Sequence, residues 1–180
     1  MNDCAGLDGW QSKYEAWREA AVPLLMKGEG AKAFASYPWY LTEGEPFVRL
    51  GKSVKDARFG LVTTGGYSIE GVHEPFKPMP NLDGSTPAIH AIPLEVDREK
   101  LRIDHPGYPH RFAEEDLNVN LPLDRLRELD EAGEIGSLSP DTQVLMGLVS
   151  DVAPLLRETI PALVDRFQSD SVEAALLVPS

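Results

Sequence analysis

From Leu7 onward, apolar residues return at alternating intervals of three and four, so that Trp10, Tyr14, Trp17, Ala21 and Leu24 fall on one stripe. That is the period of an amphipathic helix, and it predicts one running to about residues 28–30 with an aromatic-rich face. Such a face serves either core packing or a partner. Over residues 35–56 the period is lost among Tyr37, Pro38, Trp39, Tyr40, Pro46 and Phe47, which predicts an irregular lead-in packed by aromatics. Residues 58–64 then read as a buried strand, closed by Gly65 and Gly66.

Between Tyr67 and Pro87 the density of glycine and proline, Gly71, Pro75, Pro78, Pro80 and Gly84 among them, predicts a loop laid across a face of the domain. Short extended segments are expected over 89–96 and 101–105. The densest local signal is 116–136. There Asn118 or Asn120 can cap a helix, Pro122 suits its first turn, and Gly133 supplies a left-handed stop. Leu123, Leu126 and Leu129 give that helix one apolar stripe.

Strands are expected at 135–138 and 144–149. Asp151 and Pro154 then announce a helix that turns Val152, Leu155, Leu156, Leu163, Val164 and Phe167 inward and kinks at Pro161. The apolar run 172–178 reads as an interior parallel strand covered on both faces. Strands alternating with helices predict an α/β fold: a three-layer, mostly parallel sheet with helices on both faces, in a single domain. Residues 1–57 form its helical and irregular lead-in, and 58–180 its core.

The length of 180 residues suits one hydrophobic core. A formal net charge of -12, from 29 acidic and 17 basic residues, argues against nucleic acid or an anionic membrane as partner. The first residues lack a secretory pattern and no apolar run is long enough to span a bilayer, so the chain reads as cytoplasmic. Cys4 is the only cysteine, which excludes an internal disulfide and a cysteine-based metal cluster within one chain; it reads as an unreactive thiol at a frayed end.

Two stretches carry candidate chemistry. Thr63, Thr64, Gly65 and Gly66 end a strand with hydroxyls and amides suited to a carboxylate or phosphate, although a plain turn fits equally well. The run from Asp104 through His105 and His110 to Glu114, Glu115 and Asp116 permits a divalent metal, a general base or a carboxylate-oriented imidazole. Pro106 and Pro109 prevent the one-face helical spacing of a zinc-protease motif, so a solvated loop or substrate contact is the alternative. No nucleophile elbow or phosphate loop is present.

Taken in order, Leu61-Val62-Thr63-Thr64-Gly65-Gly66, Asp104-His105, the run from Asp116 to Leu126, Gly133-Glu134-Ile135-Gly136 and Met146-Gly147 resemble the glycine/sarcosine/betaine and D-proline reductase selenoprotein B family, in particular its short stand-alone members. The resemblance covers about two thirds of the chain, from Phe59 to the end. It implies reductive cleavage of a carbon–nitrogen bond: a selenocysteine or cysteine attacks the substrate carbon, and the adduct passes to a partner protein. On that reading, residue type and motif position make Thr63, Thr64, Gly65, Gly66 and Asn118 the candidates to bind substrate and His105 and Asp116 the candidates to orient or protonate it, and no metal or other cofactor is expected. The expected partners are a small-molecule substrate and a redox partner protein or second reductase subunit.

In that family the redox residue follows a final apolar strand resembling residues 173–179, whereas this sequence stops at Ser180. The expectation is a selenocysteine codon read as a stop. The family pattern also differs at Tyr108 to His110, which leaves the substrate open. Two competing expectations are a non-catalytic binding or regulatory subunit with the same fold, and a metal-assisted hydrolase built on Asp104, His105, His110 and Asp116. The nucleotide sequence beyond codon 180 tests the codon expectation: a UGA with coding continuation supports it, and a UAA or UAG removes it.

Overall fold

The computed structural model describes residues 6–42, 44, 48–77 and 82–180. Cys4, and with it the reading of its thiol, lies outside the described residues, as do Pro46, Phe47, Pro78 and Pro80. The aromatic stripe forms α1, Leu7–Leu25, and a short α2, Gly30–Phe34, follows the left-handed Gly28. Leu7, Trp10, Tyr14, Trp17 and Ala21 are buried with Ala33 and Ala153, so the aromatic face is core. The Trp17 indole N–H donates to the Ala33 carbonyl at 2.8 Å, and its ring centroid lies 4.9 Å from that of Tyr37. The Tyr37 hydroxyl in turn donates to the Ser150 carbonyl at 2.7 Å, which fastens the irregular lead-in to the chain ahead of the last helices.

The central strand is β1, Arg58–Thr63, followed by β2, Tyr67–Ile69, β3, His90–Pro93, and β4, Leu101–Ile103. Next come α3, Arg111–Glu115, and α4, Leu123–Glu131. Then β5, Ser137–Leu138, and β6, Asp141–Val144, lead to α5, Val152–Pro154, α6, Ile160–Ser169, and β7, Ala174–Val178. β5 and β6 run parallel along one side of β1, and β7 runs parallel along the other, with Phe59 opposite Ala174 and Thr63 opposite Val178. β3 joins β6 antiparallel, and β2 pairs with β4 in a separate antiparallel ribbon.

Successive residues of β1 face opposite sides of the sheet. Leu61 packs with Tyr67, Ile92, Leu123, Leu126 and Val144 on the side of α4 and the ribbon. Val62 packs with Leu145 and Leu163 on the side of α6. The molecule is thus an α/β domain with a mostly parallel sheet and helices on both faces. Among the described residues no helix is long and apolar enough to cross a membrane.

Several local expectations need correction. β7 is an edge strand rather than an interior one: among the described residues only β1 pairs with it, and Leu176 and Leu177 are 40% and 68% exposed. An apolar run signals burial of a strand in general but carries nothing about which neighbours supply it. The ladder of β6 lies at 141–144 rather than 144–149, because the chain after Val144 leaves the sheet to bond the bent end of β1. There Leu145 N–H donates to the Thr63 carbonyl and Gly147 N–H to that of Thr64. Leu129 and Val164 are 42% and 44% exposed, at the margins of stripes whose centres, Leu126 and Leu163, are buried. The loop beginning at Tyr67 opens with β2, and α3 appears where no element was expected.

Pro161 follows a single π-helical turn, Leu155–Thr159. It has no N–H for the carbonyl one turn earlier, so the ladder slips at that point rather than bending smoothly.

Replacing Trp17 by Ala removes a buried ring and its hydrogen bond, and is expected to cost about 3–5 kcal/mol in urea unfolding. A loss below about 1 kcal/mol would show that the α1 cluster is not part of the cooperative unit.

Candidate active site at the strand ends

The carboxyl ends of parallel strands are where open α/β sheets place ligands. Here β1 and β7 end side by side. Thr64 N–H donates to the Val178 carbonyl at 3.1 Å, and the Thr64 hydroxyl accepts from Ser180 N–H at 2.9 Å. After Thr64 the chain turns sharply at Gly65 and at Gly66, whose φ of 65° lies in the left-handed region.

Across this turn sits His105, only 5% exposed. Gly107 N–H donates to its Nδ1 at 2.9 Å, so the neutral ring carries its proton on Nε2. Burial, and then the neighbouring charge of His110, hold the imidazole below its ordinary pKa, which favours that neutral form. His105 Nε2 is buried and has no hydrogen-bond partner. A buried donor left unsatisfied costs roughly 1–3 kcal/mol, so such groups call for a functional account.

Three glycines enclose the ring. A Cβ on Gly66 would lie 3.0 Å from His105 Cβ, one on Gly107 would lie 2.7 Å from Cε1, and one on Gly147 would lie 2.6 Å from Nε2. The same point at Gly147 is 3.3 Å from the Ser180 carbonyl oxygen, so Nε2 faces the ends of β6 and β7. The Tyr108 ring lies 5.0 Å from His105, and its hydroxyl donates to the Gly65 carbonyl at 2.9 Å. His110 Nε2 is 2.6 Å from the His105 carbonyl and donates to it. The Tyr67 hydroxyl donates to Asn120 Oδ1, and the Thr63 hydroxyl to the Asn120 carbonyl at 2.6 Å.

The residues singled out from the sequence separate into two places. Thr63, Thr64, Gly65 and Gly66 lie at the strand ends with His105, and their polar groups bond within the protein. Gly65 N–H donates to the Thr63 hydroxyl, and Gly66 N–H to the Leu145 carbonyl. Asp116 and Asn118 stand apart, at the start of α4. Asp116 Oδ1 accepts from the backbone and side-chain N–H groups of Asn118, both at 2.9 Å, and these bonds hold its carboxyl below the usual carboxylate range. Asn118 Oδ1 accepts from the N–H groups of Asp124 and Arg125, so it caps α4 from outside the helix.

A cleft of about 740 Å³ opens beside them, with Asp104, His110 and Asp116 on its wall and His105 not among its lining residues. The set Asp104, His105, His110 and Asp116 therefore does not converge on one point. Asp104 Oδ2 accepts from Phe76 N–H at 2.9 Å, and among the described residues no group of three or more His, Cys, Asp or Glu is placed to hold a metal ion. Sequence reasoning did not place Gly107 or Tyr67 at the site, and it named Gly147 only within the family motif and Tyr108 only as a departure from the family pattern. Pro106-Gly107 marks in sequence the end of the extended segment 101–105, but nothing local shows that its glycine adjoins an imidazole ring.

Residues 21–180 match the family described as glycine/sarcosine/betaine reductase selenoprotein B. Among curated proteins, the D-proline reductase subunit gamma of Acetoanaerobium sticklandii is 29% identical over 126 residues, which are 70% of this chain and 50% of that protein. The chain thus spans about half the length of this relative. No solved structure matches.

Loss of the cap in Asn118→Ala is expected to cost about 1 kcal/mol in urea unfolding. An unchanged midpoint would show that the Asn118 side chain is held for something other than the helix. In Gly147→Ala the new methyl meets Nε2, so the His105 imidazole resonances should shift in NMR while far-ultraviolet circular dichroism stays the same. Unmoved resonances would show that the ring has room that the geometry denies it.

Proposed function

The chain belongs to the glycine/sarcosine/betaine reductase selenoprotein B family, and from that membership we propose that it is the substrate-handling part of a reductase that cleaves a carbon–nitrogen bond. The observation that supports this reading most directly is the buried, unpartnered Nε2–H of His105, aimed at the ends of the strands. A selenocysteine or cysteine, delivered along the line of β7 past Ser180, attacks the carbon that bears the nitrogen. A carbon–selenium or carbon–sulfur bond forms, and the carbon–nitrogen pair leaves on a nitrogen that begins protonated or fully substituted and departs as the amine. The adduct passes to a partner protein or second subunit whose thiols supply the two electrons of the reduction. We place this chemistry in the cytoplasm, where thiols stay reduced.

In this mechanism His105 does not act as an acid. A neutral imidazole with a lowered pKa is a poor proton source but a well-aimed hydrogen-bond donor, and its fixed ring orients an anionic acceptor on the substrate. Thr64 and Gly66 hold the turn against which it packs. Asp116 and Asn118 shape the start of α4 and, through Asp116, the wall of the neighbouring cleft. A second reading, a non-catalytic binding subunit, draws support from the strand-end amides, which already donate within the protein.

The chain carrying a cysteine-containing continuation after Ser180 is the protein to test, with glycine, sarcosine, betaine and D-proline as substrates. A covalent adduct by mass spectrometry is expected with one of them, forming about tenfold or more slowly in His105→Gln. No adduct with any substrate would favour the binding subunit. An undiminished rate in His105→Gln would remove that residue from the mechanism.

A further inference from the structure

His73 and His90 stack face to face, with ring centroids 4.3 Å apart and planes 17° from parallel, and Phe76 packs on His90 at 3.9 Å. The three rings join residues 70–77 to β3. His90 Nδ1 lies 3.1 Å from the Tyr67 carbonyl, which can only accept, so Nδ1 carries the proton there. Ile69 N–H donates to His73 Nδ1 at 3.2 Å, so that nitrogen must be unprotonated. Phe76 N–H donates to Asp104 Oδ2 at 2.9 Å, and Asp104 N–H donates to the Gly66 carbonyl at 2.9 Å. The segment is therefore latched to the residue just before His105 and to the Gly65–Gly66 turn.

We propose that residues 70–77 form an acid-released strap, in which protonation of the stacked His73–His90 pair breaks the stack, withdraws Phe76 from Asp104 and frees that carboxylate at the wall of the neighbouring cleft. The chemistry is asymmetric. His90 gains its second proton on Nε2 and keeps its bond to Tyr67, while the Asp104 carboxylate favours its charge. His73 can gain its second proton only on Nδ1, where it then confronts the Ile69 N–H, donor against donor, with a second cation stacked on its face. Other charged groups surround the pair. Asp141 of β6, Asp165 and Arg166 of α6 and Asp170 just after it share a cavity with His73, and Glu74 and Lys77 of the strap share one with His90.

Burial holds both imidazoles below their ordinary pKa, reinforced at His73 by the charge of His90 and opposed at His90 by the Tyr67 bond and Asp104. A histidine pKa lowered in the closed form stabilises that form above the ordinary imidazole value of about 6.5. That contribution is lost as pH falls below this value and through the lowered ones. The strap is therefore closed in neutral solution and released in mild acid.

Amide hydrogen exchange of the full chain, corrected for the intrinsic rate at each pH, tests this independently of the reductase reading. Between about pH 7.5 and about pH 5.5, residues 70–77 should become roughly tenfold less protected while α1 and α4 hold their protection. His73→Phe keeps a stacked ring without the donor clash or the second charge, and its strap should stay protected at both values. Should His73→Phe fail to fold, imidazole NMR of the unmodified chain decides: two interacting histidines titrating below about 6.5 are required. Equal protection of the unmodified chain at both pH values, the full acid response persisting in His73→Phe, or independent titration at ordinary values would each overturn the strap.

Discussion

The structure depends on how the backbone polar groups at the end of β1 are satisfied. A buried N–H or C=O without a partner is costly, so a strand that stops inside a protein must hand its hydrogen bonds to something else. Beyond Thr63 the recipients come from three directions. Val178 takes the Thr64 N–H, Leu145 takes that of Gly66, and the hydroxyl of Thr63 takes that of Gly65. The carbonyls of Gly65 and Gly66 accept from the Tyr108 hydroxyl and the Asp104 N–H. One sharp, glycine-dependent turn thus collects the ends of β6 and β7 and the loop after β4 at one place.

His105 follows from that arrangement. The loop after Asp104 has to cross the turn closely, and it does so where Gly66, Gly107 and Gly147 leave no Cβ to obstruct the ring. The imidazole is held through Nδ1 by its own loop, and the opposite nitrogen is buried without a hydrogen-bond partner. Its position contrasts with that of Asp116, whose exposed carboxylate is bonded to Asn118 at a helix start. Both residues belong to the same motif-bearing stretch, yet one is enclosed and unsatisfied and the other exposed and engaged. Asp104 lies between the two environments and ties the strand-end turn to the histidine stack on the far side of β2.

The edge at β7 has a related physical meaning. Its five residues carry no charge, its pairing with β1 shows no bulge, and Leu177 projects into solvent, so its own residues do not supply the charges or bulges that often blunt a sheet edge. Glu173, the residue just before β7, is bonded to Lys52 and to the Arg58 N–H.

Much of the domain was determined by sequence alone, because the signals are local. The three–four spacing of Trp10, Tyr14, Trp17 and Ala21 fixes a helix and its buried face; Gly133 and Asn118 bound α4; the resemblance from Leu61 onward reaches the family. Those features depend on neighbours within a turn or two of backbone. Which strand lies at the edge, where β6 leaves the sheet, and that Gly66, Gly107 and Gly147 meet around one imidazole were decided only by tertiary structure. They arise from contacts between segments far apart in the chain, and a glycine that clears a turn has the same local appearance as one that clears a side chain forty residues away.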